Sequence, residues 1–135
     1  MFLDAGAVIA WERRDDKHHS ADVGAWDRLR VSPERLLTTS LVLAEVSRAL
    51  MWLKGPEAAV RRHRSLLKSP MLEVFRPPKA AELQALELMK KYGDNPIGFV
   101  DCVSFVVMRE RRLTRAFGFD RHFITAGFQV WPGSS

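Results

Sequence analysis

The sequence has one cysteine, no internal repeat and no long apolar segment, and each of these features excludes a class of protein. Because Cys102 is the only cysteine among the 135 residues, the chain cannot form an internal disulfide or a zinc site built from several cysteines. No apolar run reaches the roughly 18 residues that a membrane span requires, and the first residues lack the basic region of a signal peptide. We therefore expect a cytoplasmic protein that makes no membrane contact.

The composition provides enough apolar material for one folded core. Hydrophobic residues make up 47% of the chain, and its length falls within the roughly 100–200 residues of a typical single domain. Lys and Arg number 21 against 16 Asp and Glu, which gives a formal net charge of +5. This excess favours an anionic partner such as a nucleic acid. Charge alone leaves the function open, because many basic proteins bind no nucleic acid.

Short apolar strands alternate with amphipathic helices along the chain. Apolar spacing and turn residues predict strands at 1–3, 36–38, 71–75, 115–117 and 128–131. They predict helices at 5–14, 20–30, 41–52, 57–68, 79–92 and 99–112. Thr39 or Ser40 is expected to cap the third helix. Because parallel strands need crossovers of about a dozen residues or more, the alternation predicts an α/β sandwich with a short, mostly parallel central sheet.

Two acidic residues lie inside apolar helical segments. Asp101 and Ser104 are the only polar residues of the segment 99–108, and their i, i+3 spacing places them on one helix face. A carboxylate in such surroundings must be hydrogen-bonded, neutralised by a cation or open to a solvent-filled cleft. Glu45 lies in the apolar stretch 41–46, and an exposed Glu45–Arg48 pair is its alternative interpretation.

Two further acids follow predicted strands. Asp4 comes directly after the strand at 1–3, and Asp120 follows the strand at 115–117. Open α/β sheets bind their ligands at the carboxyl ends of strands, although a helix N-cap for Asp4 and a turn for Asp120 are the structural alternatives.

Four acids from four separate elements would repel one another unless they share a divalent metal ion. Oxygen ligands suit Mg²⁺ or Mn²⁺. Such ions activate water and neutralise charge on a phosphoryl group, so this pattern on a basic protein predicts phosphodiester cleavage.

These acids lie in four segments: Met1-Phe2-Leu3-Asp4, Leu41-Val42-Leu43-Ala44-Glu45-Val46, Val100-Asp101-Cys102-Val103-Ser104-Phe105 and Phe119-Asp120-Arg121-His122-Phe123. In order, spacing and element type the segments resemble a PIN domain of the VapC toxin type. The resemblance implies one PIN-like nuclease domain over residues 1–135, folded as a three-layer α/β/α sandwich. It also implies a Mg²⁺- or Mn²⁺-dependent endoribonuclease, the toxin of a toxin–antitoxin pair. Its catalytic and metal-binding residues would be Asp4, Glu45, Asp101 and Asp120.

The same resemblance implies an RNA substrate and a VapB-like antitoxin protein as partner, and we also expect a homodimer. Arg121 and Ser104 are predicted to contact the substrate. The Arg121 guanidinium can fork onto a phosphate, and a salt bridge to a site carboxylate is its alternative.

Two residues depart from the family pattern. Ala5 stands where members usually carry a polar residue such as Thr or Ser, and Gly118 stands where they carry Thr or Ser. These departures leave a second hypothesis open, a catalytically degenerate PIN fold that acts as an RNA-binding or regulatory partner module. A third hypothesis, an aspartyl-phosphate phosphatase with Asp4 as nucleophile, is disfavoured because Gly6 replaces the second Asp that such an enzyme needs.

Other candidate residues receive structural interpretations. His18 and His19 are adjacent, so their side chains point about 100° apart on a helix and are not expected to share one metal ion. Asp94 lies in a Gly-Asp-Asn-Pro stretch and is interpreted as a turn residue. The four tryptophans, Trp11, Trp26, Trp52 and Trp131, are predicted to contact the core or a partner.

Overall fold

Five strands and seven helices alternate along residues 1–133, the part of the chain that this computed structural model describes. The last two residues of the predicted domain lie outside that range. In chain order the elements are β1 (Phe2–Leu3), α1 (Ala5–Glu12), α2 (His19–Val31), β2 (Leu36–Thr39), α3 (Ser40–Lys54), α4 (Pro56–Lys68), β3 (Leu72–Phe75), α5 (Lys79–Lys91), α6 (Phe99–Glu110), β4 (Arg115–Phe117), α7 (His122–Thr125) and β5 (Gln129–Trp131). Among these, no helix is long and apolar enough to cross a membrane.

The strands form one sheet in the order β3-β2-β1-β4-β5. Every neighbouring pair is parallel, and Phe2 of the central strand is in register with Leu37 of β2 and Ala116 of β4. The α/β fold with a short parallel sheet is therefore confirmed, and the sheet is wholly parallel.

The chain changes direction across the sheet at β1. It runs from β1 outward through β2 to β3, and then crosses to the other side of β1 for β4 and β5. Because crossovers between parallel strands are almost always right-handed, this reversal places α1–α4 on one face and α5–α7 on the other. The helix contacts agree, since α3 packs on α1 and α4, and α5 packs on α6. The carboxyl ends of β1 and β4 thus flank a topological switch point, where such sheets have a crevice.

Aromatic side chains fill the centre of the core. Phe2, Phe105, Phe117 and Phe123 are all less than 2% exposed, and the Phe105 and Phe123 rings meet edge to face with centroids 5.1 Å apart. Such pairs add roughly 0.5–1.5 kcal/mol beyond the area that they bury. The core therefore holds β1, α6 and α7 in a fixed relation.

Two of the four tryptophans, Trp26 and Trp131, pack against this core, as predicted. Trp26 and Trp131 lie 4.8 and 5.0 Å from the ring of Phe117, and Trp11 packs on Trp26. Trp52 is 86% exposed, so it contributes nothing to the core.

The element boundaries differ from the predicted ones mostly by one or two residues. Thr39 is the cap of α3, since its Oγ1 accepts a hydrogen bond from the Val42 amide at 3.2 Å. Helix α7 was not predicted. It has four residues, of which only Phe123 is buried, so it is too short to show an apolar period.

Glu12 and Asp22 are two buried acids outside the predicted site, and their environments differ. Glu12 accepts hydrogen bonds from Arg62 at 2.7 Å and Lys54 at 3.3 Å. Although burial alone would raise it, these cations hold the pKa of Glu12 below its ordinary value. Asp22 is fully buried, and neither of its carboxylate oxygens has a hydrogen-bond partner within residues 1–133. Burial raises the pKa of Asp22 to about 7, although the nearby Trp26 indole, whose N–H donates to Ala7 O, opposes the shift.

Asp22→Asn should therefore stabilise the protein at alkaline pH. The folded state holds a proton on Asp22 up to about pH 7, whereas the unfolded chain loses it near pH 3.8. The free energy of unfolding of the wild type therefore falls as pH rises between these two values. We expect the variant to exceed the wild type by roughly 1–3 kcal/mol at pH 8, because the amide avoids the cost of ionising a buried carboxyl, with little or no gain at pH 4. Thermal unfolding across this pH range measures the difference, with the exposed Asp94→Asn as control. An equal effect at both pH values would contradict the assignment.

Candidate active site

The four predicted acids meet in one cleft at the carboxyl ends of β1 and β4. The cleft has a volume of about 380 Å³. Its lining residues are Asp4, Ala5, Gly6, Ile9, Glu45, Gly98, Phe99, Val100, Asp101 and Asp120. The acids come from the ends of β1 and β4 and from helices α3 and α6, so the fold gathers residues that are up to 116 positions apart (120 − 4).

Asp4 occupies the floor of the cleft. Its backbone N–H donates to Phe117 O at 2.9 Å, which fixes it between β1 and β4. It is the N-cap residue of α1, but its side chain makes no capping hydrogen bond. The side chain is 5% exposed, and Oδ1 has no hydrogen-bond partner in the described chain. Burial first, and then the charges of Asp101, Glu45 and Asp120, raise the pKa of Asp4 to about 8.

Asp101 lies in the first turn of α6, with its side chain 15% exposed. Its Oδ2 lies 3.0 Å from Nδ1 of His122. Burial raises the pKa of Asp101 above its ordinary value, and the nearby charge of Asp120 adds to the shift, while the bond from His122 opposes it. The carboxylate is thus held in place by one hydrogen bond and crowded by another acid.

Asp120 has both a structural contact and a place in the cleft. Its Oδ1 accepts a hydrogen bond from the His122 backbone N–H at 2.9 Å, which is the turn interaction expected of an Asp at this position. The same oxygen lies 3.4 Å from Nδ1 of His122. One ligand atom from each of Asp101, Asp120 and His122 lies within 4.8 Å of the others.

His122 is the residue at this site that sequence reasoning missed. The available signal was its position, two residues after Asp120 inside a segment that carries the family resemblance. Its side chain belongs to α7, and that helix was not predicted from the sequence.

Glu45 lies at the rim of the cleft on α3, with an exposed side chain. Partial desolvation raises the pKa of Glu45, and the charges of Asp101 and Asp120 raise it further. No ion pair joins Glu45 to Arg48 within residues 1–133. The structure therefore favours membership of the acidic cluster over the exposed pair.

The structure corrects the prediction for Ser104. This residue is fully buried, and its hydroxyl donates to Val100 O at 3.0 Å. Ser104 lies one turn along α6 from Asp101, where the same helix face is covered by the core. Ser104 therefore cannot contact a substrate in this structure. Arg121 is exposed beside Asp120, and no salt bridge to a site carboxylate is found for it in the described residues.

Gly118 is packed directly against Asp4. A Cβ atom at this position would lie 3.0 Å from Asp4 Cβ and 3.3 Å from Oδ2. The glycine therefore lets β4 approach Asp4 more closely than Thr or Ser would allow. Ala5, the other departure from the family pattern, is buried at the wall of the cleft.

The donor set of the cleft fits a divalent cation. It offers four carboxylates, of which Asp4, Glu45 and Asp101 have raised pKa values. One buried oxygen of Asp4 lacks a partner among the residues that the structure describes. A divalent cation would offset the repulsion between the negative carboxylates, and oxygen donors suit hard ions such as Mg²⁺.

The remaining candidates lie outside the cleft lining. His19 Nδ1 lies 2.7 Å from Ala10 O, and His18 stacks on Phe119 with centroids 4.4 Å apart. Asp94 is exposed in the turn that follows α5. These positions agree with their structural interpretations.

Comparison with known proteins points to one family. A family model described as the PIN domain matches residues 1–129. The 23S rRNA-specific endonuclease VapC20 of Mycobacterium tuberculosis is 29% identical over 128 residues, which cover 95% of each chain. The crystal structure of VapC20, described as a sarcin-ricin loop cleaving toxin, aligns with a TM-score of 0.82 at 30% identity, covering 94% of this chain and 95% of that one.

A DNA-bound VapBC complex from Salmonella typhimurium also has the same fold. It aligns with a TM-score of 0.68 at 16% identity and covers 96% of this chain and 94% of that one. At this identity the likeness concerns the fold alone.

Crowding of the carboxylates predicts that Asp101→Asn stabilises the metal-free protein at pH 8. The pKa of Asp101 is higher in the folded protein than the ordinary value of 3.8 that applies to the unfolded chain. Above pH 3.8, ionising Asp101 therefore costs the folded state free energy. We expect a gain of about 1 kcal/mol at pH 8 that disappears near pH 4. The amide oxygen can still accept the bond from His122, so the fold is retained.

The same variant should lose most of the upshift in melting temperature that Mg²⁺ or Mn²⁺ gives the wild type, because preferential binding to the folded state produces that shift. Thermal unfolding with EDTA and with each ion measures both effects. Strong destabilisation without metal, together with a wild-type metal shift, would mean that Asp101 is a structural hydrogen-bond acceptor only.

Proposed function

The chain belongs to the PIN domain family, and from this membership and the acidic cleft we propose that it is a metal-dependent endoribonuclease that acts as the toxin of a toxin–antitoxin pair. One observation carries the proposal: acids from four separate elements converge on a single cleft, and a buried oxygen of Asp4 there has no partner within residues 1–133. A buried oxygen without a partner costs free energy, and in this cleft a bound cation would offset that cost.

Within the cleft each acid has a proposed role that follows from its position. Asp4, Asp101 and Asp120 would hold Mg²⁺ or Mn²⁺, and Glu45 at the rim would orient the attacking water or contribute to metal binding. A bound ion supplies water activation and neutralises charge at the phosphoryl group. Arg121 is exposed beside Asp120, where its guanidinium would fork onto a phosphate and position the substrate.

We propose a structured RNA as the substrate, with ribosomal RNA as the first candidate. The relative VapC20 is named as an endonuclease specific for 23S rRNA. A net charge of +5 on this chain favours association with a polyanion. An enzyme that cuts ribosomal RNA works where ribosomes are, so a cytoplasmic location is part of the proposal.

We further propose a VapB-like protein inhibitor that covers the cleft. Four carboxylates without a cation favour a positively charged group, so an Arg or Lys of the inhibitor would enter the cleft. A homodimer stays a prediction.

The purified chain should cleave ribosomal RNA in Mg²⁺ or Mn²⁺, and EDTA should abolish the cleavage. Asp4→Asn and Asp120→Asn should each lower the rate by at least about 100-fold, because each removes a proposed metal ligand. Asp94→Asn, in the exposed turn, is the matched control and should cleave like the wild type. The assay follows product formation on rRNA, tRNA and mRNA side by side.

Two outcomes would contradict the nuclease proposal. Cleavage that is unaffected by EDTA would exclude a metal-dependent reaction. Metal binding without cleavage of any of the three RNA classes would favour the degenerate PIN fold, for which Ala5 and Gly118 are the departures that matter.

Expression of the chain alone should arrest growth, and co-expression with its cognate inhibitor should restore growth. The inhibitor should co-purify with the chain and block RNA cleavage, because it competes for the acidic cleft. The Asp120→Asn variant is the control for toxicity and should not arrest growth. Absence of arrest by a wild-type chain that is folded and expressed would contradict the toxin role.

A further inference from the structure

His122 places a nitrogen atom between two of the proposed metal ligands. Its Nδ1 lies 3.0 Å from Asp101 Oδ2 and 3.4 Å from Asp120 Oδ1. The side chain is 34% exposed, so its other ring nitrogen can meet solvent or substrate. The mechanism proposed above gives this residue no role.

Two interpretations fit these distances. In the first, Nδ1 carries a proton and holds the two carboxylates in position. In the second, Nδ1 is itself a ligand position. The two distances from Nδ1, 3.0 and 3.4 Å, are close to the roughly 3 Å that separates neighbouring donors of one small divalent ion.

The anchoring of α7 holds the imidazole beside both carboxylates. The His122 backbone N–H is bonded to Asp120 Oδ1 at 2.9 Å, and the next residue, Phe123, is buried in the aromatic core. The main chain of His122 is thus tied to both the site and the core. An ion that enters between Asp101 and Asp120 therefore meets the imidazole, which need only carry its proton on Nε2 to offer Nδ1 as a donor.

From this arrangement we infer that His122 is a nitrogen ligand of the metal site and that the site selects first-row transition ions such as Mn²⁺ over Mg²⁺. The inference rests on the proposed metal site. Its chemical basis is that imidazole suits transition ions, whereas Mg²⁺ prefers oxygen donors and retained water. Asp101, Asp120 and His122 together give a mixed oxygen and nitrogen donor set.

The test compares metal binding to wild type and His122→Asn. Asn can still donate a hydrogen bond to Asp101, so the variant keeps a clamp on the carboxylates but loses the imidazole. Calorimetric titration of the metal-free proteins with MgCl₂, MnCl₂ and CoCl₂ gives the affinities. We expect Mn²⁺ and Co²⁺ affinities to fall by about 10–100-fold, and the Mg²⁺ affinity to change by less than about threefold.

His63→Asn is the matched control for binding to other histidines. His63 lies on α4 and its ring contacts Ser47, and it is not a member of the donor group formed by Asp101, Asp120 and His122. Its replacement should leave all three affinities unchanged.

A second measurement is made on the wild type and does not depend on whether the variant folds. Pulsed electron paramagnetic resonance of the Mn²⁺-loaded wild type should show coupling to a directly bound ¹⁴N nucleus, and His122→Asn should lack it. Equal weakening of Mg²⁺ and Mn²⁺ in the variant, or no nitrogen coupling in a wild type that binds Mn²⁺, would overturn the inference and leave the acidic metal site standing. A wild type that binds none of the three ions would overturn both.

Discussion

Repulsion between carboxylates in a buried cleft is the constraint on which the candidate active site of this structure depends. Asp4 is almost fully buried, and one of its oxygens has no partner in the described part of the chain. The charges of Asp101, Glu45 and Asp120 all raise the pKa of Asp4. Burying such a cluster costs free energy that the surrounding fold must offset. A bound divalent cation would convert this unfavourable arrangement into a binding site.

The core supplies the rigidity that keeps the acids together. Strand β1 has only two residues, Phe2 and Leu3, yet both are buried and pair with strands on each side. Asp4 follows them directly and its N–H is bonded to Phe117 O, so it cannot move away from its neighbours. Gly118 allows this close approach because a Cβ there would meet Asp4 at 3.0 Å. The two departures from the family pattern thus change the surroundings of the acids and leave the positions of the acids intact.

Helix α7 connects the core to the cleft. Phe123 packs edge to face on Phe105 of α6, the helix that carries Asp101, while His122 of the same short helix contacts both Asp101 and Asp120. Four residues therefore tie the positions of two acids to aromatic packing. Packed interiors resist small displacements, which explains how so short an element can fix side chains at hydrogen-bond distance.

The sequence by itself determined the alternation of strands and helices, the parallel sheet, and the four acids of the cleft. Apolar periodicity is a local property, and an acid such as Asp101 in an apolar helix is conspicuous without any knowledge of the fold. Tertiary structure alone decided which face of α6 meets the cleft, and so excluded Ser104. It also decided the contacts of His122, because a four-residue helix has no period to detect. Asp120 is close to His122 in sequence, but Asp101 lies on α6 and reaches His122 only through the crossover between β3 and β4. Asp22 became visible only in the structure for a related reason, since whether a helix position is buried depends on what packs against it.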